Sequence, residues 1–111
     1  MGTKPMAGKR KQGPEAAIQS TILEYLTLRR VFHWRQNSGA FRNAHGDFYR
    51  FGVTGAPDIF CVIKGAIYGL EVKAPKGKLN PHQEEFRDGF AAAGGKYHIV
   101  RSLEDVQALG I

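Results

Sequence analysis

Pro57-Asp58-Ile-Phe-Cys-Val-Ile63-Lys64-Gly65-Ala66-Ile67-Tyr-Gly-Leu-Glu71-Val72-Lys73 is the stretch from which the rest of the chain can be read. Asp58 to Ile63 and Ile67 to Lys73 are apolar and rich in β-branched and aromatic residues, as buried strands are. Alternate residues of a strand share a face, so Glu71 and Lys73 project together, roughly 7 Å apart along the backbone. With Lys64-Gly65 as a two-residue hairpin loop, Ile63 faces Ala66 and Asp58 falls opposite Glu71. Directly opposed positions bring Cβ atoms to about 5 Å, where two carboxylates repel. A divalent cation between them removes that repulsion, and Lys73 beside it is placed to orient or deprotonate an attacking water. A solvated ion cluster at a hairpin end accounts for the same three charges, so the trio by itself leaves both readings open.

The totals narrow the field. With 111 residues the chain makes one domain, too small for a core plus a separate substrate domain. It has no run of 18 apolar residues, so no membrane span is predicted. The basic N-terminus lacks an apolar segment behind it, which predicts no secretory signal. Cys61 is the only cysteine and sits inside an apolar strand, so it is expected to be inert core in a reducing, cytoplasmic setting. Sixteen basic residues against ten acidic give a net charge of +6. Lys4, Lys9, Arg10 and Lys11 face no acid within residues 1–12, and that segment reads as a flexible basic arm ahead of a folded domain at 13–111. Charge of this kind permits a nucleic-acid partner without demanding one.

Around the central hairpin the chain punctuates itself clearly. Gly13-Pro14 opens a helix in which Ile18, Ile22, Tyr25 and Leu26 recur at helical spacing to about Arg30. Glu15 in its first turn suits the helix dipole. Val31 to Gln36 reads as a strand, followed by a long polar, glycine-containing loop from Asn37 to about Asp47 and a short strand at Phe48 to Phe51. Arg35, Arg42 and Arg50 lie among Phe41, Phe48 and Tyr49, a mixture fit for phosphate pairing and base stacking, or for a surface loop anchored by its aromatics. Lys76 and Lys78 follow directly on Lys73 and are placed to hold a phosphate backbone. Asn80-Pro81-x-Gln83 is a capping box with Pro at the first helical position. Phe86, Gly89, Phe90 and Ala93 form the expected inward stripe of that helix, which Gly94-Gly95 ends. Tyr97 to Arg101 reads as a last strand, and Ser102-Leu-Glu-Asp105 caps a short terminal helix with Leu103, Val106 and Leu109 inward. The expected architecture is an α/β sandwich, a small mixed sheet flanked by helices.

Pro57-Asp58 followed by Glu71-Val72-Lys73 resembles the motif of the PD-(D/E)XK nucleases. More narrowly, the chain resembles the VRR-NUC family, the virus-type replication-repair nuclease domain. The likeness runs through Glu15 and Gln19, Gly55-Ala-Pro57-Asp58, Glu71-Val72-Lys73, Asn80-Pro81-x-Gln83, Gly94-Gly95-x-Tyr97 and Ser102-Leu-Glu-Asp105. Each piece is short, but their order is specific and spans nearly everything after the basic arm. The resemblance implies a restriction-endonuclease-like αβββαβ core and Mg²⁺- or Mn²⁺-dependent hydrolysis of DNA phosphodiesters. It implies Asp58 and Glu71 as metal ligands through their carboxylates and Val72 through its carbonyl. Glu15 is implied as a further metal or water ligand, Lys73 as the residue that acts on the water, and Gln19 and Gln83 as supporting site positions. Ligands of this kind, oxygens without thiolate, favour Mg²⁺ or Mn²⁺ over Zn²⁺.

Family members act on branched DNA, and stand-alone versions look like homodimeric Holliday-junction resolvases. Symmetric cutting of a four-way junction needs two active sites related by a two-fold axis, and a domain this small supplies one. Phe32, Trp34, Phe48 and Tyr49 suit such an interface or the core equally. A monomeric flap or non-specific nuclease would use the same site, and a non-catalytic DNA-binding module the same basic surfaces.

Overall fold

In a computed structural model, which describes residues 13–36 and 39–111, the chain runs α1 (Pro14–Leu28), β1 (Phe32–Arg35), β2 (Gly39–Arg42), β3 (Phe48–Phe51), β4 (Ile59–Ile63), β5 (Ala66–Val72), α2 (Pro81–Ala92), β6 (Lys96–Val100) and α3 (Leu103–Ala108). The basic arm at 1–12 lies outside the described residues.

The central hairpin takes the expected register. Ile63 pairs with Ala66 and Ile59 with Leu70, so one step further Asp58 stands opposite Glu71. Lys64 and Gly65 both have positive φ, 49° and 83°, which is the two-residue turn whose twist matches paired strands. On either side of this hairpin the sheet grows to the order β1-β4-β5-β6, antiparallel except for β5 with β6. The parallel pair requires a crossover, and α2 supplies it.

The two faces of this sheet are covered unequally. Leu70 and Val72 of β5, Ile59 and Cys61 of β4 and Val100 of β6 meet Ile22 and Leu26 of α1 and Val106 of α3 in the buried core. Leu103 and Leu109 pack against that core as the terminal pattern predicts. The opposite face carries Phe60, Gly69 and Glu71, and among the described residues α2 is the helix that lies over it. Phe86 and Phe90 stack on each other with centroids 5.5 Å apart and lean on Phe60 at 6.3 and 5.8 Å. Gly69 is needed here, since a Cβ at that position would come within 2.8 Å of Pro57 Cγ and 3.3 Å of Phe90 Cε2.

Two expectations need correction. The stripe on α2 is narrower than its pattern suggests: Gly89 and Ala93 are exposed, and only Phe86 and Phe90 turn inward. Two large rings one helical turn apart already fill the gap to the sheet, so small residues beside them have nothing to reach. The supposed loop after β1 is also partly strand. Gly39 to Arg42 pairs antiparallel with Phe48 to Phe51 in a sheet of its own. The Asn43 side chain closes this second hairpin by accepting from the His45 and Asp47 N–H groups, both at 2.9 Å. Phe48, Tyr49, Phe32 and Trp34 are all exposed, so none of the four is core. Among the described residues no helix is long and apolar enough to cross a membrane.

Candidate active site

At the ends of β4 and β5 the sheet brings Asp58, Glu71 and Lys73 to the face beneath α2. Glu71 is 1% exposed and its Oε2 lies 3.5 Å from Lys73 Nζ, also nearly buried. A carboxylate this deep requires partners, because desolvating a charge is expensive. Gln83 is another: its Nε2 donates to Glu71 Oε2 at 3.2 Å. The same amide caps α2, with Oε1 accepting from Asn80 N–H while Gln83 N–H donates to Asn80 Oδ1. Capping and site are therefore not alternatives for Gln83, since its amide has two ends. Its oxygen holds the helix start and its nitrogen holds Glu71.

Asp58 is fixed differently. Its Oδ2 accepts from the Val72 backbone N–H at 2.8 Å, tying the carboxylate across the ladder to the residue between Glu71 and Lys73. The Val72 side chain is fully buried in the opposite core, as alternation requires.

Glu15 reaches the same neighbourhood from the start of α1. Its Oε2 accepts from Ala74 N–H at 3.0 Å, just past Lys73. Gly77 packs against both groups: a Cβ there would stand 3.3 Å from Glu15 Oε2 and 3.4 Å from Lys73 Cδ. Gln19 is buried one turn further along α1, above Ile22 and Leu26. The structure thus gathers Asp58, Glu71, Lys73, Glu15 and Gln83 around the ends of the central strands.

Arg101 joins them, and nothing in the sequence marks it. Its Nη1 donates to the carbonyl oxygens of Ala74 at 2.6 Å, Gly77 at 2.9 Å and Pro75 at 3.3 Å. It thereby pins the loop that follows Lys73, on which Lys76 and Lys78 stand exposed. No local pattern reveals such a contact, because its partners lie 24 to 27 residues away. Tyr97, known from the sequence only as the end of the Gly94-Gly95-x-Tyr97 turn, is a second neighbour. Its ring is half-buried and its hydroxyl oxygen is fully buried, with no hydrogen-bond partner among the described residues. Burial first, then the charges of Glu71 and Asp58, hold its pKa well above the usual phenol range.

The arginines predicted to meet nucleic acid stand on β1 and on the second hairpin. Arg42 and Arg50 both approach the Phe48 ring on the second hairpin, at 5.7 and 5.4 Å, and Arg42 also donates to Gly46 O. Arg35 is exposed at the end of β1.

Among the described residues, no three His, Cys, Asp or Glu side chains cluster closely enough to hold a metal by themselves. The donors present are two carboxylates on opposed strands, Glu15 close by and main-chain oxygens. The thiol of Cys61 points to the other face and is pushed up to about 11 by burial. Few carboxylates with room for water is how Mg²⁺ is commonly held, so this donor set fits a hard divalent cation.

A mixed sheet with an antiparallel meander, an α crossover to a parallel strand and acids at the ends of its central strands defines the restriction-endonuclease-like class of α/β fold. Within that class the chain has the VRR-NUC fold. It matches a solved structure described as "VRR_NUC domain" with a TM-score of 0.64 over 88% of this chain and 95% of that one, at 23% sequence identity. No protein-family model matches the chain, and no curated protein matches it.

Proposed function

We propose that the chain is a metal-dependent, structure-specific DNA endonuclease that cuts four-way junctions as a homodimer, with residues 13–111 forming the nuclease domain and 1–12 a basic arm along the DNA. The observation that carries this reading is the convergence of Asp58, Glu71 and Lys73 on one sheet face, with Glu71 held by Gln83. The Asp58 and Glu71 carboxylates and the Val72 carbonyl, with Glu15 as a further ligand, are the groups that would hold Mg²⁺ or Mn²⁺. Bound there, the cation would supply charge neutralisation at the scissile phosphate. Lys73, 3.5 Å from Glu71 Oε2, would orient the attacking water or take its proton. Gln83 fixes the Glu71 carboxylate, and Gln19 supports α1 beneath Glu15.

Arg35, Arg42, Arg50, Lys76 and Lys78 are exposed cations that would contact the phosphate backbone, consistent with the net charge of +6. Phe32, at 69% exposure, and Trp34, at 40%, lie on the edge strand β1, and they are the surface proposed for the two-fold contact.

The test is cleavage of labelled four-way junction, flap and linear duplex by the same protein, together with its mass in solution. Paired symmetric cuts in the junction by a dimer support the resolvase. Cutting confined to flaps, or spread through duplex by a monomer, keeps the nuclease and removes the resolvase. Tight DNA binding without cleavage points to a binding module.

A further inference from the structure

Tyr97 is a residue beside the site whose hydroxyl is buried and has no assigned task. It pairs with Gly69 across the parallel ladder while Ile99 pairs with Glu71, so Tyr97 and Glu71 share a face two residues out of step. α2 lies over both. Gln83 reaches Glu71 from its first turn, and Arg87, one turn later, lies within electrostatic reach of the Tyr97 oxygen, as do Glu71 and Asp58. That oxygen is sealed from solvent and makes no hydrogen bond among the described residues. A hydroxyl buried in this way is unfavourable, and phenylalanine would fill the same space without the penalty. At neutral pH a phenol is a hydrogen-bond donor, and the Glu71 and Asp58 carboxylates lie in its field.

We propose that Tyr97 is a positioning residue, whose hydroxyl donates to the Glu71 carboxylate when that carboxylate serves as a metal ligand. Glu71 Oε2 is engaged by Gln83 at 3.2 Å and Lys73 at 3.5 Å. A cation bound between Asp58 and Glu71 would replace Lys73 as the positive partner of Glu71, leaving that carboxylate to turn and accept from the Tyr97 hydroxyl, which offsets the burial of both groups. Groups of this kind change metal affinity by about 10- to 100-fold when removed. The proposal rests on the divalent-cation reading of the Asp58–Glu71 site, and it adds a residue that the chemistry on the exposed side never touches.

The experiment is Mn²⁺ titration by calorimetry of wild type and Tyr97→Phe without DNA, with melting temperatures of both metal-free proteins. The expected result is at least about 10-fold weaker Mn²⁺ binding by Tyr97→Phe and a metal-free melting temperature equal to or above that of wild type. Equal Mn²⁺ affinity in the two proteins overturns the role of Tyr97 while leaving the metal site standing. A lower metal-free melting temperature also overturns it, since the hydroxyl would then already have its partner. Absence of Mn²⁺ binding by wild type removes the metal site and the role of Tyr97 together.

Discussion

Gly55→Ala tests how the fold holds the site in place. Gly55 has φ +81°, and a Cβ there would land on the His82 carbonyl, 2.7 Å from its carbon and 3.2 Å from Gln83 N. Both are backbone atoms in the first turn of α2, so no side chain can swing aside. Left-handed backbone costs a non-glycine residue about 1–2 kcal/mol, and overpacking adds about 1–3 kcal/mol. The expected loss is therefore about 2–5 kcal/mol, or at least about 10 °C in melting temperature for a domain of this size. Gly65→Ala is the matched control, because Gly65 has φ +83° with nothing within 4 Å of its would-be Cβ. It isolates the backbone term. If α2 yields instead, Gln83 moves with it and its hold on Glu71 is lost, so cleavage should fall alongside stability. Thermal melts of the two variants provide the assay. A Gly55→Ala protein that melts within about 2 °C of Gly65→Ala would refute the collision, and with it the view that this loop sets the height of α2 over the site.

Arg101→Ala should leave the sheet intact and loosen residues 74–77. Removing a charged donor from three carbonyls costs roughly 1.5–3 kcal/mol, and hydrogen exchange at Ala74 and Gly77 should accelerate while Leu70 and Val72 stay protected. Cys61 should resist thiol reagents in the folded protein, because it is fully buried and burial pushes it up to about 11. Labelling at pH 8 should be at least about 100-fold slower than in denaturant, and rapid native labelling would contradict the core assignment. His98 is held below its usual pKa, by burial first and then by Lys96. The unfolded chain therefore binds this proton more readily, and stability should be complete above about pH 6.5 and decline as pH falls through that value. His98→Gln should shrink the decline, as read from melts between pH 8 and 5.5.

How much could be read in advance follows from how local each cause is. Two residues of positive φ at Lys64 and Gly65 decide the register of β4 on β5, and with it the apposition of Asp58 and Glu71. The α2 cap is equally local: Asn80, Pro81 and Gln83 act within one turn. Gly39-Ala-Phe-Arg42 offers no β-branched residue and begins with glycine, so its pairing with Phe48 to Phe51 rests on the Asn43 turn rather than on strand propensity. The loop contacts of Arg101 and the placement of Tyr97 beside Glu71 are invisible for another reason. The neighbours of both residues are brought to them by the parallel crossover, and a chain read in order contains no trace of that proximity. The width of the α2 stripe fails likewise, since only the packed distance to Phe60 shows that Phe86 and Phe90 suffice.

Asp58→Asn puts the central claim to its most direct test. Asparagine keeps an oxygen for the Val72 N–H but removes the charge, so the variant should melt like wild type. Labelled four-way junction would be incubated with each protein in Mg²⁺, Mn²⁺ or EDTA. Wild type should cut with either metal and not in EDTA, and the folded variant should cut at least about 100-fold more slowly. Cleavage by wild type in EDTA, or by Asp58→Asn at the wild-type rate, would contradict a metal-dependent nuclease built on Asp58, Glu71 and Lys73.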